Sequence, residues 1–190
     1  LFGLMNMPFN YGPRDHLGQI LEYQIRNSQW NRIDIAVAWI NEAVFAGASG
    51  EEGYDFYTAF ENFLDVEGNI INITFGNSLH GSEREGIQHL INIRDANPNR
   101  LLNIYMYDGR ETFHPKVFLF SNEESGRLIV GSTNLSNAAM MYNFEAFLSI
   151  EQPIESEEIT EAQDFFSELQ NWNHEEPNQN LIIQIYERDE

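Results

Sequence analysis

The chain has 190 residues and carries 30 Asp and Glu against 10 Lys and Arg, a formal net charge of −20 at pH 7. That length suits one domain with a real core, and 42% hydrophobic with 13% aromatic residues excludes a disordered acidic tail. Zero Cys removes disulfides, thiol nucleophiles and Cys-bound zinc, and the acidic balance argues against gripping nucleic acid by bulk electrostatics.

No apolar run approaches the roughly 18 residues of a membrane helix, no membrane partner is expected, and no signal-peptide pattern is present. Together with the missing Cys this fits a cytoplasmic protein. Opening on Leu1 rather than Met, the chain reads as a fragment or a processed form.

The periodicity then gives the elements in order. Leu17, Ile20, Leu21 and Ile25 recur at helical spacing after Pro13 and Asp15. Ile33, Ile35, Val37 and Trp39 alternate along a strand over 32–40. Phe56, Tyr57, Phe60, Phe63 and Leu64 mark a second helix, stopped at Gly68, and are most simply core. Ile71, Ile73 and Phe75 mark the next strand. Ser82 and Glu85 suit a capping box for a helix carrying Ile87, Leu90 and Ile91. Leu102, Ile104 and Met106 give a third strand.

Two strands over 116–120 and 127–130 follow, joined by a polar turn over 121–126 as a hairpin. A short helix over 135–141, a strand over 144–150, and a long helix carrying Ile159, Ala162, Phe166 and Leu169 complete the domain. A last strand is expected over 181–186. Helix–strand alternation followed by a hairpin implies an α/β layered domain with a mixed β-sheet flanked by helices. The one linker-like stretch, 173–180, divides a domain over 1–172 from a short segment over 173–190.

Of the ten basic residues nine are Arg and one is Lys, Lys116, two positions from His114. Residues two apart share a strand face, so His114 and Lys116 project together, as do Ser132 and Asn134 at the end of the neighbouring strand. Glu145 lies in the next strand pattern, with Phe147 and Ser149 on its face. The set suits a phosphodiester. Lys and Asn donate to non-bridging oxygens, the imidazole attacks or protonates, and the carboxylate holds one imidazole tautomer. Singly, each residue has a plainer reading: a solvated strand pair for His114 and Lys116, a helix cap for Ser132 and Asn134, a surface carboxylate for Glu145.

His114-Pro-Lys116, Gly131-Ser132-Thr133-Asn134 and Asn143-Phe144-Glu145 together resemble the phospholipase D superfamily. The likeness is strongest over 113–150. It extends more weakly upstream through the strand at 32–40, the Gly47, Gly50, Gly53 loop and the helix at 56–64. This layout is similar to the prokaryotic nuclease branch, which includes metal-independent restriction endonucleases and helicase-associated domains. In one respect the chain departs from the pattern: the usual Asp five residues after the Lys is Ser121.

The resemblance implies attack by one His on phosphorus, a phosphohistidine intermediate, protonation of the leaving oxygen by a second His, and hydrolysis without cofactor or metal. A full site needs two His-x-Lys copies and the chain has one. A homodimer with the site on its two-fold axis is therefore expected, with coupled titration of the two His114 residues. The expected substrate is nucleic acid, DNA ahead of RNA, in restriction, repair or defence, with a further domain or partner protein as an option. Two alternatives stand beside this: a catalytically silent nucleic-acid-binding or assembly module, and a phospholipid hydrolase.

The remaining features read as structure. Gly47, Gly50 and Gly53 have the wrong spacing for a dinucleotide fingerprint. His80 and His89 lack partners at metal-ligand spacing, and His174 reads as exposed tail. Residues 151–176 hold nine Asp or Glu and no Lys or Arg, which suits a solvated acidic helix face. Acidic excess with a single lysine also points to a halophilic source, where molar salt shortens the Debye length to about 3 Å.

Overall fold

Ile33, Ile35 and Val37 alternate with Asp34 and Ala36, and all five are buried, so this strand lies inside the sheet with both faces covered. The computed structural model describes residues 9–11, 17–45, 54–76, 81–107 and 111–171. Along the chain it places β1 (Phe9–Tyr11), α1 (Leu17–Arg26), β2 (Arg32–Val37), α2 (Phe56–Leu64), β3 (Ile70–Gly76) and α3 (Arg84–Ala96). Then come β4 (Leu101–Tyr107), β5 (Lys116–Ser121), β6 (Ser125–Gly131), β7 (Ala146–Pro153) and α4 (Glu157–Asn171). All seven strands form one sheet in the order β1-β7-β6-β5-β2-β3-β4. β2, β3 and β4 run parallel, and every other pairing is antiparallel. The expected mixed α/β sheet is what forms.

Helices cover both faces. Leu17, Leu21 and Ile25 of α1, Phe56, Phe60 and Phe63 of α2, and Ile87, Leu90 and Ile91 of α3 share one core with Ile33, Ile35, Ile71, Ile73, Phe118 and Phe120. On the other face Ile159, Ala162, Phe166 and Leu169 of α4 pack with Ala36, Phe113 and Leu119. These four recur at helical spacing, and each large one contributes roughly 1.5–3 kcal/mol by leaving water. The opposite side of α4 exposes Glu157, Glu158, Glu161, Asp164 and Glu168, the solvated acidic face read from the sequence.

Beneath α4 a polar ladder crosses three strands. Asp34 is 1% exposed. It accepts from Arg32 Nε at 2.6 Å, Asn72 Nδ2 at 2.8 Å and Gln170 Nε2 at 3.4 Å. Asn103 Nδ2 in turn donates to Asn72 Oδ1 at 2.8 Å. The register Asp34↔Asn72↔Asn103 sets these side chains in one row.

Several boundaries differ from expectation, each for a local reason. Ser82 is not a helix cap: it is 1% exposed, donates to Gly76 O and accepts from the Ile40 N–H, tying the end of β3 to the segment just after β2. The α3 N-cap is Glu83, without a side-chain cap bond. The hairpin turn is tighter than 121–126, since Ser121 still pairs with Gly126 and Asn122 Oδ1 accepts from Glu124 N and Ser125 N. The short helix over 135–141 is instead a π-helical turn over Ala138–Tyr142. The strand expected from 144 begins at Ala146 and runs on to Pro153. β1, which pairs with β7, has no periodic signature to announce it. The strand expected over 181–186, the boundary at 173–180, the Gly47, Gly50, Gly53 loop, His80 and His174 lie outside the described residues.

Candidate active site

The parallel strands of an α/β sheet open at their carboxyl ends, and ligands collect there. β2 finishes at Val37, opposite Lys116, the first residue of β5. β6 finishes at Gly131, opposite Phe147 near the start of β7. The ends of β2 and β6 and the starts of β5 and β7 therefore meet at one edge, bringing His114, Lys116, Ser132, Asn134 and Glu145 to the same rim.

His114 precedes β5 rather than lying within it, and its ring is exposed. Lys116 is 6% exposed. Its Nζ lies 2.7 Å from His114 Nδ1, 3.0 Å from His114 Nε2 and 3.2 Å from His114 O. An ammonium has only donors, so it donates to whichever ring nitrogen is unprotonated and to the carbonyl. Burial pushes the Lys116 ammonium below the ordinary lysine range, and the Glu145 charge partly opposes that shift.

Glu145 stands just before β7. It accepts from Ser132 Oγ through one oxygen and from Asn143 Nδ2 at 3.2 Å through the other. Ser132 Oγ also accepts from Ala146 N at 3.2 Å. Gly131 makes this approach possible. A Cβ there would lie 2.6 Å from both Ala146 O and Phe147 Cβ, so any side chain would push β7 away. The expected carboxylate–imidazole bond is not formed: Glu145 is held by Ser132 and Asn143, and His114 by Lys116. Nor do Ser132 and Asn134 cap the following helical turn, whose N-cap is Asn137.

Trp39 ties the motifs together, and the sequence offered no sign of it beyond strand alternation. Its ring meets the His114 ring edge-on at 5.6 Å and 84°, and Lys116 Nζ lies 5.9 Å from its centroid. Its backbone N–H donates to Asn134 Oδ1 at 3.3 Å, and its carbonyl accepts from Leu135 N at 3.2 Å. One residue just past β2 thus touches His114, Lys116 and Asn134. The chain after β6 is laddered onto it through the Ile40↔Leu135 bridge.

Ser121, at the position of the usual Asp, occupies the far end of β5. Five residues of strand put it about 16 Å from Lys116, where it is buried and paired with Arg32. Among the described residues no three His, Asp or Glu side chains gather as a metal site, and no helix is long and apolar enough to cross a membrane. His89 packs beside Phe45 and Tyr57, away from the rim.

The family described as "Cardiolipin synthase, PLD-like domain" matches residues 73–170, a stretch that includes all five rim residues. No curated protein matches the chain by sequence. Among solved structures, Nuc from Salmonella typhimurium, a phospholipase D family member, superposes with a TM-score of 0.64 at 18% identity, over 91% of this chain and 98% of its own. NucT from Helicobacter pylori gives 0.58 at 19% identity, over 86% of this chain and 94% of its own. TrmBL2, an archaeal chromatin protein whose structure shows a novel mode of DNA binding, gives 0.54 at 12% identity, over 93% of this chain and 56% of its own. At such identities these likenesses establish the fold, which agrees with the family match over more than half of the chain. The chain belongs to the PLD-like domain family of the phospholipase D superfamily.

Proposed function

We propose that the chain is a metal-independent phosphodiesterase that cleaves nucleic acid, DNA in preference to RNA, through a phosphohistidine at His114. The observation that carries this reading is the contact of Lys116 Nζ with the His114 ring at a rim shared with Ser132, Asn134 and Glu145. In the absence of substrate the ammonium occupies the imidazole lone pair. An incoming phosphate oxygen competes for that ammonium, and moving the contact from nitrogen to oxygen frees the lone pair for attack. The N–P bond forms as the P–O bond breaks. Lys116 and Asn134 donate to the non-bridging oxygens as charge develops. Ser132 gives its one hydroxyl proton to Glu145 and becomes a donor to phosphate only when an incoming oxygen displaces that carboxylate.

The leaving oxygen needs a proton from a second imidazolium. Each chain holds one His-x-Lys, so a second copy related by a two-fold axis supplies His114 in that role. Water then forms the new O–P bond, the N–P bond breaks, and the water proton returns to the second imidazole. The role of His114 and the dimer stand or fall with the following test. Single- and double-stranded DNA and RNA are digested in excess chelator, and sedimentation is measured at the assay concentration. Cutting by a dimer, abolished in a folded His114→Ala variant, is the expected result. Cutting that survives in His114→Ala, or a cleanly monomeric active species, contradicts it. Because the matching family is described by a cardiolipin synthase, phosphatidylglycerol vesicles complete the panel. Turnover of vesicles with no cutting of nucleic acid would assign the chemistry to lipid.

A further inference from the structure

A cavity of about 280 Å³ opens beside His114, on the side facing α4. His114 and Pro115 form one wall, Tyr107 and Phe165 supply aromatic surface, Leu169 belongs to its apolar lining, and Glu168 borders it. The Phe113 ring stacks on Tyr107 at 5.0 Å and 26°, which fixes that wall. Volume and lining place it at the small end of ligand pockets, with room for one flat ring system.

Resting on the nuclease reading above, we propose that this cavity receives the unpaired nucleobase of a nucleotide attached to the scissile phosphate. His114 is the shared wall: it touches Lys116 on the phosphate side and lines the cavity on the other. Aromatic walls stack with any base. The exposed acids of α4, Glu161, Asp164 and Glu168, repel phosphates but not uncharged rings, so the strand lies with its bases toward α4 and its phosphates toward Lys116. Glu168 at the border accepts from a base N–H. A base seated there has left its neighbours' stack and its pairing partner, so the substrate is single-stranded or locally opened at the cleaved nucleotide.

The test uses two end-labelled single-stranded DNAs, identical except that one nucleotide is replaced by an abasic analogue, digested by the full chain in excess chelator. Wild-type cutting at a linkage flanking the abasic position falls about tenfold or more, and Phe165→Ala cuts both strands at the lower, abasic rate. Tyr107→Leu gives the same readout should Phe165→Ala melt below the assay temperature. Cutting by the wild type that is indifferent to the missing base, or discrimination retained in both folded variants, overturns the base site while leaving the nuclease reading intact. No cutting of either strand overturns that reading, and the base site with it.

Discussion

At the scale of single residues, the proposed chemistry rests on a lysine the rest of the chain has done without. Its pKa supplies a directional prediction. Burial lowers it from the ordinary 10.5 and the Glu145 charge opposes that shift. Activity that needs the ammonium is therefore complete below the lowered value and lost as pH rises through it. Glu145→Gln removes the opposing charge, so the alkaline limb of log kcat/KM moves to lower pH. A limb unmoved by Glu145→Gln would mean that Lys116 does not set it. Stability runs the other way over that window, because the unfolded chain binds the extra proton between the lowered and ordinary values. The His114, Lys116, Ser132, Asn134 and Glu145 positions were legible because motif spacing survives without a structure. Trp39 was not: its contacts with His114, Lys116 and Asn134 depend on how β2 and β6 end and where β5 begins, which no local spacing encodes.

At the scale of elements, the strands and helices with strong periodicity were legible, and those set by tertiary contacts were not. α4 announces itself through Ile159, Ala162, Phe166 and Leu169, all buried on one stripe. β1 is three residues long and stands by pairing with β7. Ser82 followed the capping-box pattern in sequence, yet Gly76 at the end of β3 and Ile40 just past β2 outcompete the helix end for its hydroxyl. The Asp34 ladder gives the element-scale test. Asp34→Ala leaves Asn72 Nδ2 and Arg32 without their acceptor, and the half-exposed Arg32 recovers part of its solvation in water. The expected loss is about 2–3 kcal/mol of unfolding free energy, read in denaturant melts. Asp34 pairs with Leu119, toward the Ser121 end of β5 and away from Lys116, so kcat/KM below the melting range should stay near the wild-type value. An equal loss of activity and stability would show that the ladder reaches the rim.

At the scale of the whole molecule, a net charge of −20 has to coexist with the proposed capture of phosphate. Part of the answer is spatial, because the acids of α4 face solvent while Lys116 is buried at the rim. The rest is screening. If the acidic surface is an adaptation to salt, molar KCl raises the melting temperature by removing repulsion among the exposed carboxylates. A melting curve unchanged between dilute buffer and molar KCl would remove that explanation.

The claim on which the functional reading turns is a covalent bond between phosphorus and His114. Chelated enzyme is mixed with end-labelled single-stranded DNA, quenched within the first turnover, and the protein is mapped by mass spectrometry. The expected result is an acid-labile nucleotide adduct on His114 that rises and decays with cutting and is missing from His114→Ala. Cutting with no adduct at any time, or an adduct on another residue, would contradict it.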